Sequence, residues 1–345
     1  MPQDAPTYPQ RELGVEGDKD VDVSRGTPAD EPVRTVRTAA ELAELSTDYD
    51  DHQTPLAQAA QRTVQVRQGI PHEQLRRPAS TRVFVVANQK GGVGKTTSTV
   101  NIAASLTQLG QRVLVIDLDP QGNASTALNI DHHRGTLSTY DALVDGTPLT
   151  EIAQQCPEIS DLWVVPATID LAGAEIELVS VVAREGRLKK AILGHPRVGS
   201  ADEVGEERFD YVLIDCPPSL GLLTLNALVA ASEMLIPIQA EYYALEGLGQ
   251  LLNTVEMVKA HLNQDLTVST ILLTMYDGRT RLAAGVAAEV REHFSGQVLK
   301  TSIPRSVRVS EAPSYAQTVI TYDPTSPGAL SYLEAAREVI ERGGN

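Results

Sequence analysis

Along most of the chain, short runs of β-branched and aliphatic residues alternate with longer stretches of helical composition, separated by polar or glycine-bearing loops. Val83–Ala87, Arg112–Ile116, Leu162–Pro166, Tyr211–Ile214, Glu233–Pro237, Thr267–Leu273 and Val298–Ile303 read as strands, each a brief apolar run bounded by a loop. Thr97–Leu109, Leu222–Ala231, Leu245–His261 and Ala283–His293 read as the helices between them. The first unit runs strand, loop, helix, a stop at Gly110 and a second strand; such a crossover is right-handed and sets its strands parallel. Its repetition predicts an α/β fold, a doubly wound, mostly parallel sheet with helices on both faces. Ligands in such folds sit beyond the carboxyl ends of the strands, and nearly every chemically loaded residue here follows a strand. His195 to Glu207 is polar and glycine-bearing and reads as a surface insertion. Ala329 to Asn345 reads as a helix with Leu330, Leu333, Val339 and Ile340 on one side. Its Glu334, Glu338 and Glu341 stand against Arg337 and Arg342, so an anionic bilayer gains little from it and a packing role is expected.

Residues 1–79 break the pattern. They are rich in Pro, Asp, Glu, Thr and Gln with few large apolar residues, which predicts a largely disordered tail ahead of a single α/β domain at 80–345. Thr54 and Pro55 are suited to start a short helix over 55–67, and Ala39–Leu45 is a weaker candidate. The N-terminus is acidic and polar where a secretory signal needs a basic and then apolar stretch, and no run of about 18 apolar residues is available to span a bilayer. A cytoplasmic protein is expected. Cys156 and Cys216 have neither disulfide-framework nor zinc-site spacing. A net charge of −16 opposes nucleic-acid binding at long range. Between Tyr276 and Ser310, however, Arg279, Arg281, Arg291, Lys300, Arg305 and Arg308 outnumber Asp277, Glu289 and Glu292, a positive island in an acidic chain.

The chemistry begins where the first strand meets the loop Asn88–Thr97. Glycines let backbone N–H groups turn onto an anion, and the following helix N-terminus adds its partial positive charge. Lys95 supplies a cation for β and γ phosphates, and Thr96 a hydroxyl for Mg²⁺. The pattern departs from G-x-x-x-x-G-K-[ST] at Gln89, and a second lysine, Lys90, precedes Gly91 and Gly92. The second strand ends in Asp117-Leu118-Asp119-Pro120, and Tyr211–Ile214 ends in Asp215. Asp215 has the Walker B setting, an acid after an apolar strand, and is placed to hold Mg²⁺ through a water. Cys216 reads as a small buried side chain.

The form K-G-G-V-G-K-T-T over Lys90–Thr97 is the deviant Walker A motif, and with D-L-D-P-Q-G-N, D-C-P-P-S-L-G and the two arginine-bearing loops the chain resembles ParA-type chromosome-partitioning ATPases over roughly 82–342. The resemblance implies that Lys90, Gly91, Gly92, Val93, Gly94, Lys95, Thr96 and Thr97 bind ATP. In it Lys90 reaches across a nucleotide-sandwich homodimer, Asp119 positions the attacking water, and Asp117 lies nearer Lys95 and the metal. Thr96 and Asp215 would serve Mg²⁺. Pro304 and Ser306 match positions at the base, although members usually carry asparagine at the latter. Arg279 and Arg308 match arginines that hold double-stranded DNA without sequence preference, consistent with guanidinium–phosphate pairing and no base-reading cluster nearby. A ParB-type centromere-binding partner, a nucleoid location and no membrane anchor complete the expectation. The residues alone also fit plainer roles: Lys90 as a solvated loop lysine, Asp117 paired with Lys95, Asp119 opening a turn, and both arginines in surface ion pairs. A MinD-like membrane-cycling ATPase shares every nucleotide residue, and a metabolic relative, a reductase or amidase, is the further alternative.

Overall fold

The computed structural model describes residues 75–241 and 244–343. The expected tail helices at 39–45 and 55–67 lie outside the described residues. The strands are β1 Arg82–Val86, β2 Val113–Asp117, β3 Gln154–Gln155, β4 Leu162–Val165, β5 Tyr211–Asp215, β6 Glu233–Gln239, β7 Thr267–Tyr276 and β8 Val298–Pro304. They form one sheet in the order β3-β4-β2-β5-β1-β6-β7-β8. Every pairing is parallel except that of β3 with β4.

Alternation along each strand builds two cores. Val83 and Val85 enter one apolar cluster with Leu114, Ile116, Val212 and Ile214, whereas Phe84 and Val86 enter the other with Val113, Val115 and Leu213. Because both faces are covered, polar alternation disappears and the strands read as continuous apolar runs. The longer helices are α1 Lys95–Gln108, α2 Thr139–Val144, α3 Leu171–Glu177, α4 Arg187–Leu193, α5 Leu222–Ala230, α6 Ala244–His261, α7 Arg281–His293 and α8 Pro327–Arg342. Helices α1 and α8 supply the second cluster, and α2 to α7 the first. Ser326 caps α8 by accepting from Ala329 N, and Tyr332, Leu333, Ala336, Val339 and Ile340 are buried, so its apolar side faces the core. The sequence expectation of a doubly wound parallel sheet therefore holds, with α8 as a packing element.

Two features were not foreseen. The antiparallel β3 consists of two glutamines at the sheet edge. The segment 195–207 lies at the surface, as expected, but its start is anchored: buried His195 tilts against Phe209, and the Arg197 guanidinium lies 4.0 Å from the Phe209 ring centre. The approach to β1 is also fixed. Buried Arg208 donates to the Pro78 and Ala79 carbonyls and to Asp210. Asp210 accepts from Arg77 as well, and Thr81 N bonds Gly199 O.

Candidate nucleotide site

β1 lies where the topology switches: the chain passes from β1 across β5 to β2, and later returns from β5 to β6 on the other side. The carboxyl ends of β1, β2 and β5 thus open into one crevice. The loop after β1 contains Gly92 and Gly94 at φ 74° and 87°. A Cβ at either would be strained by the left-handed backbone even though it would meet no close atom. Gly94 occupies the N-cap position of α1. The loop is held by three hydrogen bonds, one of them within the loop. Asn88 Nδ2 donates to Pro237 O at 2.8 Å and its Oδ1 accepts from Lys90 N at 3.0 Å, while Thr274 Oγ1 donates to Val93 O at 2.8 Å.

Lys95 is buried, and its Nζ donates to Lys90 O at 3.2 Å. Among the described residues it has no ion pair, so burial lowers the ammonium pKa, opposed by the fields of Asp215 and Asp119. An ammonium held dry with two donors unspent is arranged to receive an anion. Asp215 is fully buried at the end of β5. Its Oδ1 accepts from Thr99 Oγ1 at 3.1 Å, the nearby Thr96 hydroxyl favours its charged form, and Oδ2 has no partner among the described residues. Burial, and then the Asp117 carboxylate aligned with it in register on β2, push its pKa up. An orphaned buried carboxylate oxygen beside a threonine hydroxyl and a lysine fits a hard divalent cation.

Asp117 is also raised by burial, but its oxygens are occupied. Ser125 donates from N at 2.9 Å and from Oγ at 2.7 Å, and Asp119 N donates at 3.2 Å. No ion pair joins it to Lys95 among the described residues, so Asp117 organises the loop after β2. Asp119 is 8% exposed; its Oδ1 accepts from Gln121 N at 3.0 Å, closing a turn over Pro120. Its other oxygen has no protein partner among the described residues, so the turn leaves one face of the carboxylate for a ligand.

The remaining candidates stand apart. Lys90 is half-exposed, and its Nζ pairs with Glu241 Oε2 at 2.5 Å, just past β6. Gly91 and Thr97 flank the loop core at its rim and at the first turn of α1. Pro304 ends β8, opposite Tyr276 of β7, and Ser306 precedes the one-turn helix Val307–Glu311. Arg279 is exposed and forms a fork with Asp277, both bonds 2.8 Å. Arg308 lies 3.4 Å from both Glu311 and Asp323.

The structure adds Asn88, Thr99, Ser125, Glu241 and Thr274. Thr99 follows Lys95 at i+4, on the helix face that looks at Asp215, and that spacing was visible in the sequence. Ser125 and Glu241 had no comparable signal.

A family model described as an AAA domain matches residues 81–268. The sporulation initiation inhibitor protein Soj of Bacillus subtilis is 51% identical over 262 residues, covering 76% of this chain and 99% of that protein. The chromosome partitioning protein ParA of Myxococcus xanthus is 49% identical over 261 residues, 76% of this chain and 88% of that protein. A crystal structure described as cobyrinic acid a,c-diamide synthase from Mycobacterium smegmatis, with bound ATP analogue and magnesium, superposes with a TM-score of 0.63 at 38% identity, covering 76% of this chain and 95% of that one. A pinned phosphate-type loop, a dry lysine and an orphaned acid at the switch point thus coincide with near-full-length similarity to partition proteins, and the chain belongs to the Soj/ParA family of chromosome-partitioning ATPases.

Proposed function

We propose that the protein hydrolyses ATP with Mg²⁺ and uses the cycle to attach to and leave chromosomal DNA. The observation that carries the reading is the unpartnered Asp215 Oδ2 beside Thr96 and Lys95. Thr96 and Asp215 would hold Mg²⁺, which when bound neutralises charge on the phosphates. Gly91–Gly94 and the N–H groups opening α1 cradle the phosphates, Lys95 meets their charge, and Thr97 closes the cradle. Asp119 uses its free oxygen to orient a water for in-line attack, a task that needs position more than basicity. Pro304 and Ser306 bound the base side.

Lys90, once it leaves Glu241, acts across a sandwich homodimer on the second protomer's nucleotide. Arg279 and Arg308 bind DNA phosphates in that dimer, where each weak contact is doubled. A ParB-type protein triggers hydrolysis and release, and the nucleoid is the place of action. The apolar side of α8 is spent on the core, which supports the DNA reading over a membrane-cycling one. The amidase alternative needs a reactive thiolate, yet Cys156 and Cys216 are both buried and burial pushes both thiols up.

The test is retention of duplexes of unrelated sequence at two salt concentrations with ATP, ADP or no nucleotide. Sequence-blind, salt-sensitive retention confined to ATP is expected. Retention indifferent to nucleotide, or none, would overturn the reading.

A further inference from the structure

The one-turn helix Val307–Glu311 runs straight into a tighter turn, Ala312–Tyr315, and the next short helix, Val319–Tyr322, ends beside it. Buried Ala312 seats this corner on the second apolar cluster, and the partly buried Tyr322 packs against the same cluster. Tyr315 lies outside. Its ring stacks on that of Tyr322 with centres 5.0 Å apart and planes inclined by 21°, yet the residue is 64% exposed. The Arg308 guanidinium lies 5.9 Å from the centre of the same Tyr322 ring. Tyr322 is thus an anchored plate that carries both a cation and a second aromatic, and Arg308 and Tyr315 are no farther apart than those two distances laid end to end.

Stacking fixes the orientation of a ring, and a tyrosine that spends its ring on packing keeps a polar tip for a partner. The Tyr315 hydroxyl has no hydrogen bond among the described residues, so the stack alone would be served as well by phenylalanine. Glu311 and Asp323 each lie 3.4 Å from the Arg308 guanidinium. An arriving phosphate therefore meets a cation whose field two carboxylates partly offset, and a neutral donor beside it adds attraction with no added repulsion. Phosphates follow one another about every 3.4 Å of helix axis along one strand, so neighbouring phosphates fall within the span of the Tyr322 plate.

We propose that Tyr315 is a further contact to the DNA backbone, donating its hydroxyl to a phosphate beside the one that Arg308 meets. The inference rests on the DNA reading above and adds an uncharged donor to its surface. Hydroxyl contacts to phosphate fix a protein's placement on the duplex and read no sequence, which suits a binder indifferent to sequence. A guanidinium displaces a counterion from the DNA when it meets phosphate, whereas a phenol displaces none. The two side chains of one patch therefore carry different signatures: the arginine's share of binding falls with salt, and the tyrosine's does not.

The experiment is retention of a duplex with ATP as a function of salt, for the parent chain, Tyr315→Phe, Tyr315→Ala and Arg308→Ala, with ATP affinity measured on each. Tyr315→Phe keeps the ring on its stack and removes only the hydroxyl, so a merely structural role would leave it equal to the parent. It should instead weaken retention about two- to tenfold per protomer, the worth of one hydrogen bond, and keep the parent's salt slope. Tyr315→Ala should lose at least as much, again at the parent's slope. Arg308→Ala should weaken retention and lower the slope by about 0.9 per protomer. Retention by Tyr315→Phe equal to the parent's, or a loss that comes with a shallower slope, would overturn the proposal while leaving the DNA reading intact. A loss that tracks weaker ATP binding would assign the hydroxyl to the nucleotide and overturn it as well. Failure of the parent chain to retain DNA with ATP would overturn both the proposal and the reading it rests on.

Discussion

Replacing Asp215 with Asn keeps the side chain's shape and removes its charge, and the geometry dictates two opposite consequences. Without ligand, the carboxylate is fully buried, has one oxygen without a partner and faces Asp117 in register. A buried group left in that condition costs about 1–3 kcal/mol. The nucleotide-free variant should therefore be more stable than the parent by about that amount, a rise of about 2–4 °C in Tm for each kcal/mol. With Mg²⁺ and ATP the order should reverse. The parent gains about 2.7 kcal/mol at a ligand concentration 100 times Kd, and the variant forfeits the metal-dependent share. The sign of the pH dependence follows from the raised pKa of Asp215. Protonation stabilises the fold fully below the ordinary carboxylate pKa, about 3.9, and that stability is lost as pH climbs toward the raised value. The variant's advantage should thus be absent near about pH 4 and develop as pH rises to about 7. Thermal unfolding with and without Mg²⁺–ATP across that range is the assay. A nucleotide-free variant that melts below the parent at neutral pH would refute the reasoning, since it would mean that the carboxylate is satisfied in the fold and not waiting for a cation.

Three further outcomes are expected. Gly94→Ala places a side chain at φ 87°, which should cost about 1–2 kcal/mol in denaturant unfolding and weaken ATP binding, although no neighbour is crowded; an unchanged midpoint would remove the backbone argument. Lys90→Ala should retain ATP affinity but lose partner-stimulated hydrolysis, and full stimulation in a turnover assay would exclude its action across a dimer. Asp119→Ala should bind ATP, dimerise and stay on DNA without turning over; if light scattering showed no ATP-dependent dimer, Asp119 would belong to assembly and not to the water.

Why some of this was legible and some not has a physical basis. The strands were readable because both faces of the sheet are covered, which makes Val83 to Val86 apolar at every position. Gln154 and Gln155 escaped because a polar pair at an edge has no apolar signal to give. The anchoring of the surface segment at His195 escaped for a related reason. Its polar residues spend their ring and guanidinium faces on Phe209, and composition does not record what a cation lies against. In the site, Lys95, Thr96 and Asp215 announced themselves by local spacing. Ser125 became visible only when the loop after β2 closed on Asp117, and Glu241 lies 151 residues from Lys90. Asp117 was placed toward Lys95 by resemblance, whereas its lone pairs are filled from its own loop.

The clasp of Arg77 and Arg208 on Asp210 has a mechanical side. The chain reaches β1 at its amino end, and β1 is bonded on both edges, to β5 and to β6. Tension applied through the polypeptide ahead of residue 75 would first load the clasp and then pull β1 lengthwise between its neighbours. A strand pulled in that direction must shear a whole ladder of hydrogen bonds together instead of unzipping it bond by bond. The phosphate loop begins at the other end of that same strand, so the loop sits behind a load path that yields only by shear.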